Sequence, residues 1–125
     1  MSYIPYNANP IGRDTIDCTV RAIAAFLDSD WDTQFARISI YAFSKKDMMV
    51  VNNLWMGYLR SLGYRPHVIP DTCPDCYTVL DFCADHPTGV YLLATEGHVV
   101  AVKEGNYYDT WDSGNEIPFF YWERR

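Results

Sequence analysis

A cysteine at the start of a predicted helix is the residue of this sequence best suited to nucleophilic chemistry. Asp17 is a residue type that caps helices, and Cys18 follows it directly. The free N–H groups and positive dipole end of a helix favour a thiolate, and they can also receive the negative oxygen that forms when a thiolate attacks a carbonyl. Free cysteines are commonly buried, so Cys18 is equally compatible with a small core residue unless it has a partner.

The sequence after Gly97 places a histidine and two aspartates on neighbouring predicted strands. His98 begins an apolar strand, and a strand that carries Asp109 and ends near Asp112 follows through a tight turn at 104–106. A three-residue loop there puts His98 directly opposite Asp112 on the same face of the hairpin. Because a carboxylate beside an imidazole holds its tautomer and orientation, this register predicts Asp112 as the orienting acid.

Asp109 is the alternative acid, and the length of the loop separates it from Asp112. With a three-residue loop, Asp109 points to the face opposite His98. We expect a two-residue loop to put Asp109 on the face of His98 but across from Val102, roughly 13 Å along the strand. The sequence therefore favours Asp112, and Asp109 is then a surface or turn-supporting carboxylate unless a bulge changes the register.

The elements that must position these residues are helices followed by strands. Apolar residues at helical spacing predict helices that begin after Asp17, after Ser29 or Asp30 and near Asp47, the third ending at Gly63. From residue 90 the period changes, which predicts four strands, at 90–94, 98–103, 107–111 and 117–122. The short links between them imply an antiparallel meander. We therefore expect one α+β domain over residues 1–125, with N-terminal helices packed on a C-terminal antiparallel β-sheet.

Four cysteines in a chain without an export signal are predicted to be thiols or metal ligands rather than a disulfide framework. Cys73, Cys76, Cys83 and His86 have a spacing that can bind zinc. Cys76 and Cys83 also fit the apolar stripe of a short fourth helix, where they would be core residues. We favour this second interpretation and expect no metal.

Composition narrows the classes of function. The chain has 125 residues and a formal charge of -6, and its basic residues cluster only at Lys45-Lys46 and Arg124-Arg125, so nucleic-acid binding is not expected. The N-terminal residues lack the features of a signal peptide, and no apolar run is long enough for a bilayer. We expect a cytoplasmic protein with no membrane segment and no cofactor, since no phosphate-binding glycine loop is present. The oligomeric state stays open.

The order of these motifs resembles the papain-like cysteine peptidase superfamily. The resemblance is carried by Cys18 at a helix start, by the Gly-His-Val-Val-Ala-Val strand at 97–102 and by the Asp-Ser-Gly turn at 112–114, which is similar to that superfamily's Asn-Ser-Trp-Gly turn. Peptidases that trim bacteriocin leader peptides also place Asp there, and small uncharacterised phage and prophage proteins share a similar layout. The resemblance implies a papain-like domain and a cysteine hydrolase, with a peptide or protein as substrate and possible phage origin. Its triad would be Cys18, His98 and Asp112.

One position departs from that superfamily. Its enzymes carry a Gln about six residues before the nucleophile to complete the oxyanion hole, whereas this chain has Gly12 there. Asn7 or Asn9 can supply an equivalent amide, and both are also ordinary turn residues. The missing Gln leaves a second hypothesis open, a papain-like scaffold without enzymatic activity that binds a host protein or a small signalling molecule.

Overall fold

Among residues 2–124, all four helices precede residue 90 and four of the six strands begin at or after it, as the change of hydrophobic period predicted. The computed structural model describes residues 2–124, and within them the helices are α1 (Cys18–Phe26), α2 (Trp31–Lys45), α3 (Asn52–Ser61) and α4 (Val79–Asp85). The strands are β1 (Tyr3–Pro5), β2 (His67–Val68), β3 (Val90–Thr95), β4 (His98–Lys103), β5 (Asn106–Asp109) and β6 (Pro118–Glu123). The prediction of an α+β class is confirmed.

The sheet is mixed rather than purely antiparallel, with the strand order β1-β5-β4-β3-β6-β2. Strands β3, β4 and β5 form the predicted meander. The fourth predicted strand, β6, lies beside β3 instead of β5, because the segment 110–117 is long enough to return across the hairpin. Strand β1 adds a parallel edge to β5, and its three residues are too few to show a period in the sequence. Strand β2 adds an antiparallel edge to β6, so the expected four-stranded antiparallel sheet is wrong in three respects.

Local signals fix most helix ends. The Asp30 side chain accepts a 2.7 Å hydrogen bond from the Thr33 N–H and so caps α2. Gly63 follows α3 with a φ of 92°, which confirms its predicted role after the C-cap. Helix α3 begins later than predicted. Helix α4 begins after Thr78, so Cys76 lies outside the helix in which we expected it.

Two hydrophobic clusters cover the two faces of the sheet. Because alternate strand residues point to opposite faces, Leu92 of β3 packs with residues of α1, α2 and α3, whereas its neighbour Leu93 packs with α4. Trp55 and Phe82 are among the largest buried side chains of the respective clusters. Helices thus lie on both faces, and α1 makes its most extensive packing with β4. No helix among residues 2–124 is long and apolar enough to cross a bilayer.

Candidate active site

The turn between β4 and β5 sets which aspartate meets His98. The loop contains two residues, Glu104 and Gly105, with φ values of 50° and 74°, and Lys103 pairs with Asn106 across it. A two-residue hairpin of this kind needs positive φ at both positions, and Glu is an uncommon choice for the first. Our prediction of a three-residue loop is therefore wrong.

The observed register brings Asp109 closer to His98 than we expected for a two-residue loop. Ala101 pairs with Tyr108, so the same register puts Asp109 across from Val100 rather than Val102. Val100 is two residues from His98, and residues two apart share a face of a strand. Asp109 and His98 are thus diagonal neighbours, a separation that side chains can bridge.

Asp109 is the carboxylate that holds the His98 ring. Its Oδ2 lies 2.5 Å from His98 Nε2, and the Asp109 residue is only 2% exposed. Burial by itself raises the pKa of Asp109, but hydrogen bonds from His98 and Ser113 outweigh it and hold this pKa below its ordinary value. Asp109 is therefore a buried, ionised partner of the imidazole.

Asp112 does not contact His98, so its predicted position beside the imidazole is wrong. Its carboxylate accepts hydrogen bonds from the Tyr107 hydroxyl and from the Gly114 N–H, the latter at 3.1 Å. Asp112 is exposed and supports the turn that follows β5. The two aspartates have thus exchanged the positions that the sequence suggested for them.

Cys18 begins α1, as predicted, and its thiol faces the His98 ring. Burial raises the pKa of the Cys18 thiol, but the hydrogen bond and charge of His98, the Val99 N–H and the charge of Arg21 outweigh it. The pKa of Cys18 therefore lies below its ordinary value. A lowered pKa increases the thiolate fraction, which is the nucleophilic form.

The pKa of His98 is shifted in the opposite direction. Burial lowers its pKa, but hydrogen bonds and charge interactions with Asp109 and Cys18 raise it to about 9. Because Asp109 occupies Nε2, Nδ1 is the ring nitrogen that can serve Cys18. The two shifts favour the ion pair of Cys18 thiolate and His98 imidazolium over the neutral pair.

Asp17 occupies the predicted cap position of α1 but does not cap the helix with its side chain. Its carboxylate instead pairs with Arg21 and accepts a 2.9 Å hydrogen bond from Trp31 Nε1. The first N–H groups of a helix have no acceptor within the helix. Since the Asp17 side chain does not accept from them, the N–H of Cys18 remains available to an oxygen at the site.

The sequence did not predict two of the residues that contact Asp109. Ser113 Oγ donates to Asp109 Oδ2 at 2.7 Å, and Arg21 Nη2 donates to Oδ1 at 3.4 Å. Arg21 could have been found from its spacing, because it lies four residues after Asp17 and three after Cys18 on one helical face. Ser113 offered no comparable signal, since its contact depends on the turn after β5.

Cys18 and His98 line one of two neighbouring cavities. One, of about 210 Å³, is lined by Cys18, His98 and Arg21, among others, and a neighbouring cavity of about 530 Å³ shares Trp111 with it. The Trp111 ring lies 4.8 Å from the His98 ring, centroid to centroid, and forms part of the wall. We call these two neighbouring cavities the groove, and Cys18 lines the smaller of them.

The two candidate oxyanion residues are bound within their own loop. Asn9 Oδ1 accepts from the N–H groups of Ile11 and Arg13, and Asn7 Nδ2 donates to the Arg13 carbonyl at 3.4 Å. Asn7 lines the larger cavity, whereas Asn9 lines neither of the two cavities at the site. In this arrangement both residues act as turn residues, the second of the two roles weighed for them.

Two of the three cysteines in the segment 73–86 form a disulfide. Cys73 and Cys76 are bonded to each other, which corrects the expectation that the cysteines are thiols or metal ligands. Cys83 is buried in the core, and the His86 ring stacks on Phe82. Among residues 2–124, no group of three or more potential ligands is placed to hold a metal ion.

Comparisons with known proteins do not assign the chain to a class. No family model matches it, and no curated protein and no solved structure is sufficiently similar. The function of the site has to be inferred from its geometry.

Proposed function

We propose that this protein is a small papain-like cysteine hydrolase that acts on peptide or amide bonds. Cys18 is the nucleophile, His98 the general base and then acid, and Asp109 the residue that orients the imidazole. The observation that supports this most directly is the His98 ring held between the Cys18 thiol and the buried Asp109 carboxylate. Nucleophile, base and orienting acid in that order define the chemistry of a catalytic triad.

Each group has a defined task in the reaction. The Cys18 thiolate attacks the carbonyl carbon, and the carbonyl oxygen becomes negative. The His98 imidazolium then gives its proton to the leaving amine, and a thioester remains on Cys18. Water attacks the thioester while His98 takes its proton, which releases a carboxylic acid and restores the thiolate. Asp109 keeps Nε2 occupied throughout, so the same ring nitrogen serves both steps.

The oxyanion hole has one donor in place, the Cys18 N–H at the start of α1. The Asn7 and Asn9 side chains are bound within their loop, so a second donor depends on movement of that loop when substrate binds. One missing donor costs about 3 kcal/mol, or roughly a hundredfold in rate. We therefore expect slow turnover on unselected amide substrates.

A thiol-directed activity probe tests the proposal. Rapid labelling of Cys18, assigned by peptide mapping and lost in His98→Ala, is the expected result, because the imidazole maintains the thiolate. Buried Cys83 is an internal control that should stay unlabelled in the folded protein. Labelling of Cys18 no faster than that of a free cysteine in solution, in a folded protein, would contradict the enzyme assignment.

The constrained asparagines favour a second candidate function. A papain-like scaffold that binds a host protein or a small signalling molecule needs the groove but no oxyanion hole. In that case Cys18 would label slowly, and His98→Ala would leave the labelling rate unchanged. The probe experiment thus separates the two functions with the same pair of proteins.

A further inference from the structure

Arg21 forms a buried bridge between two carboxylates at the edge of the site. It is 6% exposed, its Nη1 pairs with Asp17, and its Nη2 lies 3.4 Å from Asp109 Oδ1. Asp17 directly precedes α1, and Asp109 ends β5. The guanidinium therefore joins the helix that carries Cys18 to the strand that carries the partner of His98.

The charges around the site explain why an arginine suits this position. With the site in its ion-pair form, three negative groups, on Asp17, Asp109 and Cys18, lie near one positive imidazolium. Burying like charges together is costly unless a cation lies among them. A guanidinium is planar and always charged, and it offers separate donors to two acceptors, which a lysine ammonium at the end of a flexible stem cannot match.

We infer that Arg21 is a positioning residue that locks Asp109 to the helix of Cys18 and supplies the second positive charge that the thiolate requires. It touches neither the reacting carbonyl nor the sulfur, and it acts through Asp109 and through its charge. The consequence for hydrolysis rests on the proposed function, whereas the consequence for Cys18 reactivity does not.

The groups that face Arg21 come from several elements. Asp17 and Cys18 lie at the start of α1, His98 on β4 and Asp109 on β5. Asp14 lines the same cavity, and Tyr6, whose pKa is raised by burial, also feels the Arg21 charge. The Arg21 charge lowers the pKa of Cys18, so removal of Arg21 should shift the reactivity of the thiol toward higher pH.

Alkylation of Cys18 by iodoacetamide, followed over a range of pH, tests this inference without any substrate. Arg21→Gln removes the charge and should slow alkylation at pH 7 by at least about tenfold, which corresponds to a rise of one unit in the thiol pKa. Arg21→Lys keeps a charge but cannot hold both carboxylates, and it should recover only part of the rate. Arg124→Gln is the matched control, because Arg124 donates to the Phe26 carbonyl at the far end of α1 from Cys18.

The outcomes are distinguishable. A purely structural arginine would lower the melting temperature in Arg21→Gln, as we expect for Arg124→Gln, and leave the pH profile of alkylation unchanged. That result would overturn the inference. If Arg21→Gln fails to fold, Arg21→Lys is the test. A wild-type alkylation rate and pH profile in that variant would also overturn the inference. Fast alkylation of Cys18 in a wild-type protein that cleaves no amide would contradict the hydrolase and leave the role of Arg21 standing.

Discussion

His98 and Asp109 are joined by a 2.5 Å contact between Nε2 and Oδ2, although they are diagonal and not opposite on the β4–β5 hairpin. Their contact depends on a two-residue turn, because one more residue in the loop would turn Asp109 to the other face. The carboxylate is buried, so water does not compete for the imidazole. The hairpin thus determines both the identity and the environment of the orienting acid.

Substitution of Asp109, but not of Asp112, should slow the labelling of Cys18. We expect Asp109→Ala to slow labelling of Cys18 by at least about tenfold, because an unsupported imidazole is less often in the orientation that activates the sulfur. Asp112→Ala should change the rate little, since Asp112 contacts Tyr107 and Gly114. Circular dichroism of both variants controls for unfolding. Loss of labelling in folded Asp112→Ala alone would show that the register is wrong.

The protonation of His98 can be followed directly by NMR of the histidine ring. We expect it to titrate at a pH of about 9 in the wild-type protein, because Asp109 and Cys18 both stabilise the imidazolium. The pKa should fall in Asp109→Asn, where the neutral amide no longer favours the charged ring. Titration near 6.5 in the wild-type protein would show that the ion pair is absent.

The stability of the protein should respond to pH in a way that reveals the pairing of Cys18 with His98. The folded pKa of His98 is raised from 6.5 to about 9, so its contribution to stability is present below 6.5 and lost as the pH rises. The pKa of Cys18 is lowered from 9.0, so its contribution is present above that value and lost as the pH falls. The two contributions offset each other in part, because folding adds a proton to His98 and removes one from Cys18.

Cys18→Ser removes the contribution of Cys18 to the pH dependence of stability. The free energy of unfolding should then fall from pH 6.5 upward, as His98 alone binds a proton in the folded state. Urea unfolding at several pH values measures the effect, and Cys18→Ser/His98→Gln should remove it. A Cys18→Ser protein whose pH profile matches the wild type would be inconsistent with a raised His98 pKa.

Thiol counting should distinguish the cysteines. In unfolded, unreduced protein we expect two reactive thiols, those of Cys18 and Cys83, because Cys73 and Cys76 are bonded to each other. Reduction should raise the count to four. Cys73→Ser/Cys76→Ser should leave labelling of Cys18 unchanged, since the disulfide contributes no residue to the walls of the site cavity. Four thiols before reduction would remove the disulfide from the description.

The two positions that local sequence could locate are Cys18 and His98. A helix start and a strand start depend on residues within one turn or a few positions, so the capping residue type and the change of period were sufficient to find them. The same reasoning located the cap of α2 and the glycine after α3, because those interactions close within a few residues.

The tertiary structure decided which carboxylate contacts His98 and which residues contact that carboxylate. A one-residue difference in loop length exchanges the two faces of a strand, and the residues of the turn did not reveal that difference because Glu stands where Gly or Asn is usual. Arg21 reaches Asp109 only when α1 packs against β4 and β5, across 88 positions of the chain. Strand β6 pairs with β3 for the same kind of reason, since the partner of a strand depends on contacts distant in sequence. Local pattern thus placed Cys18 and His98, whereas long-range packing chose the carboxylate that contacts His98.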